Sequence, residues 1–423
     1  MRPFFFIGYV SLAFSLLQAQ NFRNIRIPSI DSDYPFSECE PSIAINPINP
    51  MEISAGTVLN GYHFSTDGGQ SWQTTALKSP YGVYGDPILQ YDRNGRLYYF
   101  HLSDYNKGHH LDRIVCQTSD ELGKFSKGSY PAPNGSKAQD KHWVVIDPKT
   151  NVIYMTWTQF DKYDSSDPQD SSIIVFSKSM DRGLSWTDPI RISKFGGDCL
   201  DSDNTVEGAV PALGANGEIF VVWSGPKGLM LQKSLDDGLT WLAEEKKLLD
   251  QVGGWDLDIP GIYRTNGMPI LLSDLSGGPQ HGTLYLNWSD QKNGEDNTDI
   301  WLIKSIDNGE TWSSPMRVNQ DSTNHHQFLS SMAIDPVRGD LHFVYYDRRR
   351  FLDNRTDVVW ATSTDGGNSF QEQRISDRPF LPNAMVFFGD YLSIAAFDGH
   401  VRPIWPRMDG GRISVWVALI DIQ

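Results

Sequence analysis

Only three cysteines, Cys39, Cys116 and Cys199, occur in 423 residues, which excludes a disulfide scaffold for a chain this long. Beyond residue 17 no apolar run approaches the ~20 residues that a membrane-spanning helix needs. Positive charge is scarce: Lys+Arg 36 against Asp+Glu 52 gives −16. That balance argues against nucleic acid and anionic membrane surfaces as partners. Charged residues make up only 21% of the chain, too few for a disordered polyelectrolyte. What is present in quantity is aromatic and turn-forming: 12% Phe, Trp and Tyr, with 37 Gly and 24 Pro. The composition describes a large, turn-rich, soluble globular protein.

Arg2 and the apolar run 4–17, followed by Gln18-Ala19-Gln20, read as a signal peptide cleaved near Ala19. Residues 1–19 are therefore expected to be a leader and 20–423 a single domain, secreted or periplasmic. No second apolar segment supplies a membrane span.

One short motif runs through the chain. It stands at 65–72 (STDGGQSW), 179–186 (SMDRGLSW), 234–241 (SLDDGLTW), 305–312 (SIDNGETW) and 363–370 (STDGGNSF), with a worn copy at 119–125 (SDELGKF). Repetition at this spacing means an array of similar supersecondary units. Each copy has the chemistry of a tight turn: the Asp carboxylate accepts backbone N–H groups and the Gly takes a φ that other residues resist. The closing aromatic is expected to pack on a neighbouring unit. A β-rich run such as Ile173-Ile174-Val175-Phe176 precedes the turns, and another such as Ile190-Arg191-Ile192-Ser193 follows several of them. Upstream lie a small apolar strand (42–46, SIAIN) and a more aromatic one (153–157, IYMTW), again repeated.

Seven such units without intervening helix predict an all-β, seven-bladed β-propeller of four-stranded antiparallel blades, with six blades the alternative count. The last unit has three strands. Residues 24–29 (NIRIPS) repeat the pattern of 190–193 and are expected to supply its missing outer strand.

In such blades the inner-to-second turns and the Ser-x-Asp turns lie on one face. The longer, more polar second-to-third loops and interblade crossovers lie on the other, where function usually sits. Residues just before each inner strand crowd the axis on that face: Glu40, Asp86, Asp140, Lys141, His142, Glu207, Arg264, Gln327, Asp390 and Tyr391. Such a concave ring of acids with a few cations suits a polar ligand.

The Ser-x-Asp-x-Gly-x-Ser/Thr-Trp/Phe turns resemble the Asp-box (bacterial neuraminidase) repeat, and the chain resembles the sialidase-like β-propellers over nearly all of residues 20–423. The resemblance implies a glycan-active protein, with a glycoside hydrolase of exo-sialidase type the leading activity. Sialidases of this kind bind the substrate carboxylate with three arginines, which Arg264, Arg348 or Arg349, and Arg402 could supply. They use a Tyr nucleophile paired with a Glu, for which Tyr391 and Glu207 are the candidates, and an Asp acid, Asp86 or Asp104. Lys141 and Asp390 complete the expected substrate-binding set. Two features depart from the family: Glu40 stands where the first arginine belongs, and strand register puts Arg26-Ile27-Pro28 on the outer closing strand.

Two alternatives stay open. A polysaccharide lyase on an acidic glycan would draw its base and cation from His142, His101, Tyr391, Lys141 and Arg264. A non-catalytic propeller would bind carbohydrate or protein. The expected partner is a glycan or polysaccharide, acidic in the sialidase and lyase readings, with the protein a monomer. No cofactor is required. Asp198, Asp201 and Asp203, followed by Glu207, are a weak calcium candidate. The paired histidines His109/His110 and His325/His326 lack zinc-finger spacing.

Overall fold

The computed structural model describes residues 22–30, 38–103 and 111–423; the leader, Asp104 and the His109/His110 pair lie outside them. The seven-bladed propeller is the observed fold, and among the described residues every regular element is a strand. Blade 1 runs Ser42–Ile45, Ile53–Thr57, Gly61–Ser65 and Gln73–Ala76 as an antiparallel meander. Blades 3 to 6 repeat it, with inner strands Ala138–Ile146, Glu207–Leu213, Ile270–Ser273 and Gln327–Ile334. Each inner strand packs beside the next, and the last, Ser393–Phe397, returns to Ser42–Ile45. The inner strands line an axial channel whose wall is largely Ile, Val, Leu and Ala.

The ring closes as the sequence suggests. Arg23–Arg26 pairs antiparallel with Arg412–Asp421, Arg23 facing Leu419 and Arg26 facing Trp416. Arg26 is thus on the outermost strand, far from the axis. Ile27, just beyond it, is 2% exposed and packs with Ile43, Ile404 and Val415 in a cluster that joins blades 7 and 1.

The repeated turn is a local hydrogen-bond device. In the copy at 305–312, Ser305 Oγ donates to Asp307 Oδ1 (2.8 Å) and accepts from Gly309 N (2.9 Å). Asp307 also accepts from Thr311 N (2.9 Å). The same bonds recur at Asp67, Asp181, Asp236 and Asp365. The turn's glycine is required twice over at Gly238, where φ is +78° and a Cβ would stand 2.6 Å from Phe176 Cε1. Trp241, closing that turn, meets Phe176 of the preceding blade with ring centroids 5.0 Å apart. Trp186 likewise meets Phe100 of blade 2 at 6.1 Å.

Two expectations change. Blade 2 (Gly85–Tyr91, Leu97–Leu102, Ile114–Ser119) has three strands rather than four. Its worn turn lacks the key aspartate, so Ser119 Oγ donates to the Glu121 carbonyl (2.6 Å) and only a bridge between Cys116 and Ser129 follows. The crossover at 253–268 is not irregular throughout: Asp256–Leu257 pairs with Thr265–Asn266 as a small hairpin.

Closure through Ile27 is testable. Ile27→Ala is expected to cost about 2–5 kcal/mol in guanidinium unfolding, the range for emptying a buried isoleucine site. The half-buried Ile25 next to it should cost less when changed to Ala. Equal, negligible losses at both positions would mean that the outer strand does not hold the ring shut.

Candidate functional site

Antiparallel alternation puts the start of every inner strand on one rim, opposite the Ser-x-Asp turns. At that rim the inner strands share a distortion. In blades 2, 3, 4 and 6 two residues face one on the second strand: Asp86-Pro87, Lys141-His142, Gly208-Ala209 and Leu329-Ser330. The first residue of each pair has positive φ: 49° at Asp86, 46° at Lys141, 70° at Gly208 and 50° at Leu329. Glu40 of blade 1 adopts 51° at the matching position. Left-handed backbone at a non-glycine residue costs about 1–2 kcal/mol, and such bulges re-aim side chains beside functional sites.

The bulges form a bowl of about 410 Å³ over the axis. Glu40, Asp86, Asp140, Asp201, Glu207 and Asp390 line it, together with Lys141 and Arg264. Asp140 and Glu207 occupy one repeat position, immediately before the bulge, and Asp390 precedes the inner strand of blade 7, Ser393–Phe397, by a similar interval. Glu40, Asp86 and Lys141 occupy the next. Asp201 comes from the crossover between blades 3 and 4, and Arg264 from the small hairpin. Tyr84, Tyr163, Trp255, Tyr263 and Phe387 add an aromatic wall.

Both cations are committed within the bowl. Arg264 donates through Nε to Asp390 Oδ1 (2.8 Å), through Nη2 to Asp390 Oδ2, and through Nη1 to Asp201 Oδ2 (3.0 Å). Lys141 Nζ lies 3.4 Å from Asp390 Oδ2 and 3.9 Å from Asp86 Oδ2. Asp390 is also held by Asn266, whose amide donates to its carbonyl (2.8 Å). Burial would raise the Asp390 carboxyl, but Arg264 and then Lys141 outweigh it and hold the group well below the usual range.

The other acids behave in the opposite way. Burial, then the Asp86 and Asp201 charges, raises Asp140 from 3.8 to about 8. Burial, then Asp201 and Asp140, raises Glu207 well above the carboxylate range. Glu40 is raised similarly, by burial and then by Asp86 and Asp390. Glu207 is 1% exposed, its Oε2 receives no hydrogen bond, and the Asp201 carboxyl lies against it. The bowl thus holds carboxyls raised by burial beside one lowered by its cations, the separation of acidities that acid–base chemistry uses.

Several expected site residues lie elsewhere. His142 is the second residue of its bulge, so its side chain turns away from the bowl into the core, 6.4 Å from the Phe100 ring. Burial there lowers its pKa to about 3 and keeps it neutral. Tyr391 borders a smaller cavity beneath the bowl, under the Lys141 ammonium (4.8 Å to its ring centroid). Its hydroxyl is buried without a partner, and burial raises it far above an ordinary phenol. Arg348 is buried and donates to Thr356 Oγ1 (3.1 Å) and the Pro260 carbonyl (2.6 Å). Arg349 pairs with Asp347 (2.6 Å) and Glu372 (2.6 Å). Arg402 is on the opposite face, donating to the Gly68 carbonyl of a Ser-x-Asp turn (2.9 Å) and to Asp421 (2.9 Å). No three-arginine cluster forms from them.

Of the calcium candidates, only Asp201 faces the bowl. Asp198 accepts from Thr205 Oγ1 (2.8 Å), and Asp203 caps the backbone at Trp255 and Asp256 (both 2.8 Å). Among the described residues no group of three or more ligating side chains is arranged to hold a metal ion. The aromatic wall was not foreseen; its residues sit in crossovers where no strand periodicity marks them.

A pH-dependent cost follows from the crowded acids. A carboxyl whose pKa is raised in the folded state costs the protein stability as pH rises from 3.8 towards the folded value, here about 8 for Asp140. Asp140→Asn is therefore expected to raise the melting temperature more at pH 8 than at pH 5. Equal shifts at both pH values would contradict the burial of an uncharged acid at this position.

No family model matches the chain, and no curated protein matches it. Solved structures do. A protein of unknown function from Dyadobacter fermentans is similar at 11% identity and a TM-score of 0.51, covering 96% of this chain and 100% of its own. An ulvan lyase, a polysaccharide lyase solved bound to -[GlcA(1-4)Rha3S]-, is similar at 13% identity and a TM-score of 0.52, covering 93% and 96%. A Hadza microbial sialidase is similar at 14% identity and a TM-score of 0.48, covering 88% and 73%. At such identities the likeness is one of fold: this chain shares the β-propeller architecture.

Proposed function

We propose that the bowl is the active site of a glycan-cleaving enzyme that hydrolyses a glycosidic bond by carboxyl acid–base chemistry. Glu207 is the general acid: buried, facing the bowl and pushed well above the ordinary carboxylate range by burial, it is placed to give its proton to a leaving-group oxygen. Asp86, whose carboxyl lies 3.9 Å from the Lys141 ammonium, is the base or nucleophile of the pair. Tyr263, 57% exposed at the rim, and Phe387 offer faces on which a sugar ring can stack. The observation that carries this proposal is the buried Glu207 carboxyl, opening on the bowl with an oxygen that no protein donor satisfies. The strained backbone at Glu40, Asp86 and Lys141 supports it.

Sialidase chemistry fits less well, because Arg348, Arg349 and Arg402 stand away from the bowl. Elimination also fits less well: His142 is in the core, Tyr391 is beneath the floor, and Arg264 and Lys141 are both bound to Asp390.

A screen of polysaccharides and glycan oligomers, reading new reducing ends and ultraviolet absorbance together, tests the reaction class. Reducing ends without unsaturated product are expected, with kcat falling by about 10²–10⁴ in Glu207→Gln, the range for a general acid, while the melting curve is retained. Unsaturated products, or full activity in Glu207→Gln, would overturn the hydrolytic assignment.

A further inference from the structure

The charge arrangement of the bowl carries a conclusion about the sugar, resting on the glycan-hydrolase proposal above. Six carboxyls face two cations there. Arg264 uses all three of its nitrogens on Asp390 and Asp201, and Lys141 lies between Asp390 and Asp86. Arg264 keeps two N–H donors, but the charge of both cations is already taken by Asp390, Asp201 and Asp86, so neither presents an unpaired positive charge to a carboxylate or sulfate on a substrate. Among the described residues, Glu40, Asp140 and Glu207 form no ion pair with any Lys or Arg. Glu207 adds an independent sign of an absent donor. It is 99% shielded from solvent, lines the bowl, and its Oε2 meets no hydrogen-bond donor.

We infer that this bowl takes a glycan bearing a free amine, such as a glucosamine polymer, whose ammonium seats against Glu207 and Asp140. An ammonium has three N–H donors and no acceptor, so it can satisfy Glu207 Oε2, which accepts nothing from the protein, beside Asp140, whose Oδ1 accepts only from Lys141 N (2.8 Å). A neutral hydroxyl brings one donor and no charge. An N-acetyl group removes the charge and adds bulk where the bowl is lined by acids. An anionic sugar meets acids with no cation to spare. Asp140 gives its proton to solvent as the ammonium arrives and pairs with it, while Glu207 keeps its proton and accepts an N–H at Oε2; the exposed Tyr263 and nearby Phe387 give the sugar body an apolar face.

Calorimetric titration with three oligomers of equal length tests this: glucosamine, N-acetylglucosamine and glucose, each β-1,4-linked. The glucosamine oligomer is expected to bind at least tenfold more tightly than the other two. The preference should shrink at high salt, because the attraction is electrostatic, and should fall at least fivefold in Asp140→Asn with the fold intact by circular dichroism. Equal binding of all three, or preference for an uncharged one, overturns the amine assignment and leaves the hydrolase proposal standing. If no glycan in the reducing-end screen is bound or cleaved, both fall together. A preference that persists unchanged in both Asp140→Asn and Glu207→Gln also overturns the inference, since the amine would then be read elsewhere.

Discussion

The antiparallel pairing of Arg23–Arg26 with the strand Arg412–Asp421 is the constraint on which the rest of the molecule depends. A stack of meander blades has an unpaired inner-to-outer seam until its last sheet is completed. Here the completing strand comes from the other end of the chain, so the ring closes by hydrogen bonds as well as by packing. Once closed, the alternation of strand direction sorts the connections. Every Ser-x-Asp turn falls on one rim and every inner-strand start on the other. Residues dispersed from Glu40 to Asp390 in sequence then meet around one axis.

Closure concentrates the acids, and the bulges aim them. An inner strand that kept regular pairing would send alternate side chains into the interblade core up to its first residue. Inserting a residue at positive φ breaks that alternation at the rim, so two successive positions change direction. The consequence in blade 3 is plain: Asp140 and Lys141 face the bowl while His142 goes to the core. The strained backbone and the mutual repulsion of buried carboxyls both oppose folding. A scaffold of buried aromatic and aliphatic strands, with Trp223, Trp288 and Trp405 fully covered, opposes that cost. Proteins tolerate such local losses where a site needs them.

The fold was legible because its signals are local. Ser305, Asp307, Gly309 and Thr311 satisfy one another within a single turn, so the motif announces the turn wherever it stands. Even the borrowed outer strand could be read, since residues 24–29 copy the pattern of 190–193. Blade 2 lost its fourth strand where the motif had lost its aspartate, a defect visible in the residues but not its outcome. The site was legible in part. Counting strands places Glu40, Asp86, Lys141, Glu207, Arg264 and Asp390 at the rim, because position along a strand follows from register. Direction does not, and a bulge reverses it, which is why His142 leaves the bowl; Tyr391 lies beneath it. Arginines were harder still. Arg349 and Arg402 are placed by partners, Glu372 and Asp421, that are distant in sequence. Trp255 and Tyr263 reach the bowl through a hairpin held by two residue pairs, too short to leave a periodic trace.

The sign of the bowl turns on a single carboxylate. Asp390 sits 5% exposed between a guanidinium from the hairpin and an ammonium from blade 3, and pairs with both. With Asp201 and Asp86 as their second partners, the two cations meet three carboxylates, and the bowl favours positive ligands. Were Asp390 uncharged, that excess of acid over base would vanish, and the scaffold would repel an acidic sugar less. The change needs no movement of a strand and no new arginine. Propellers can therefore differ in the charge of what they accept while sharing a fold, and so a common fold at 11–13% identity says so little about substrate. What decides is which acid neutralises which base beneath the opening.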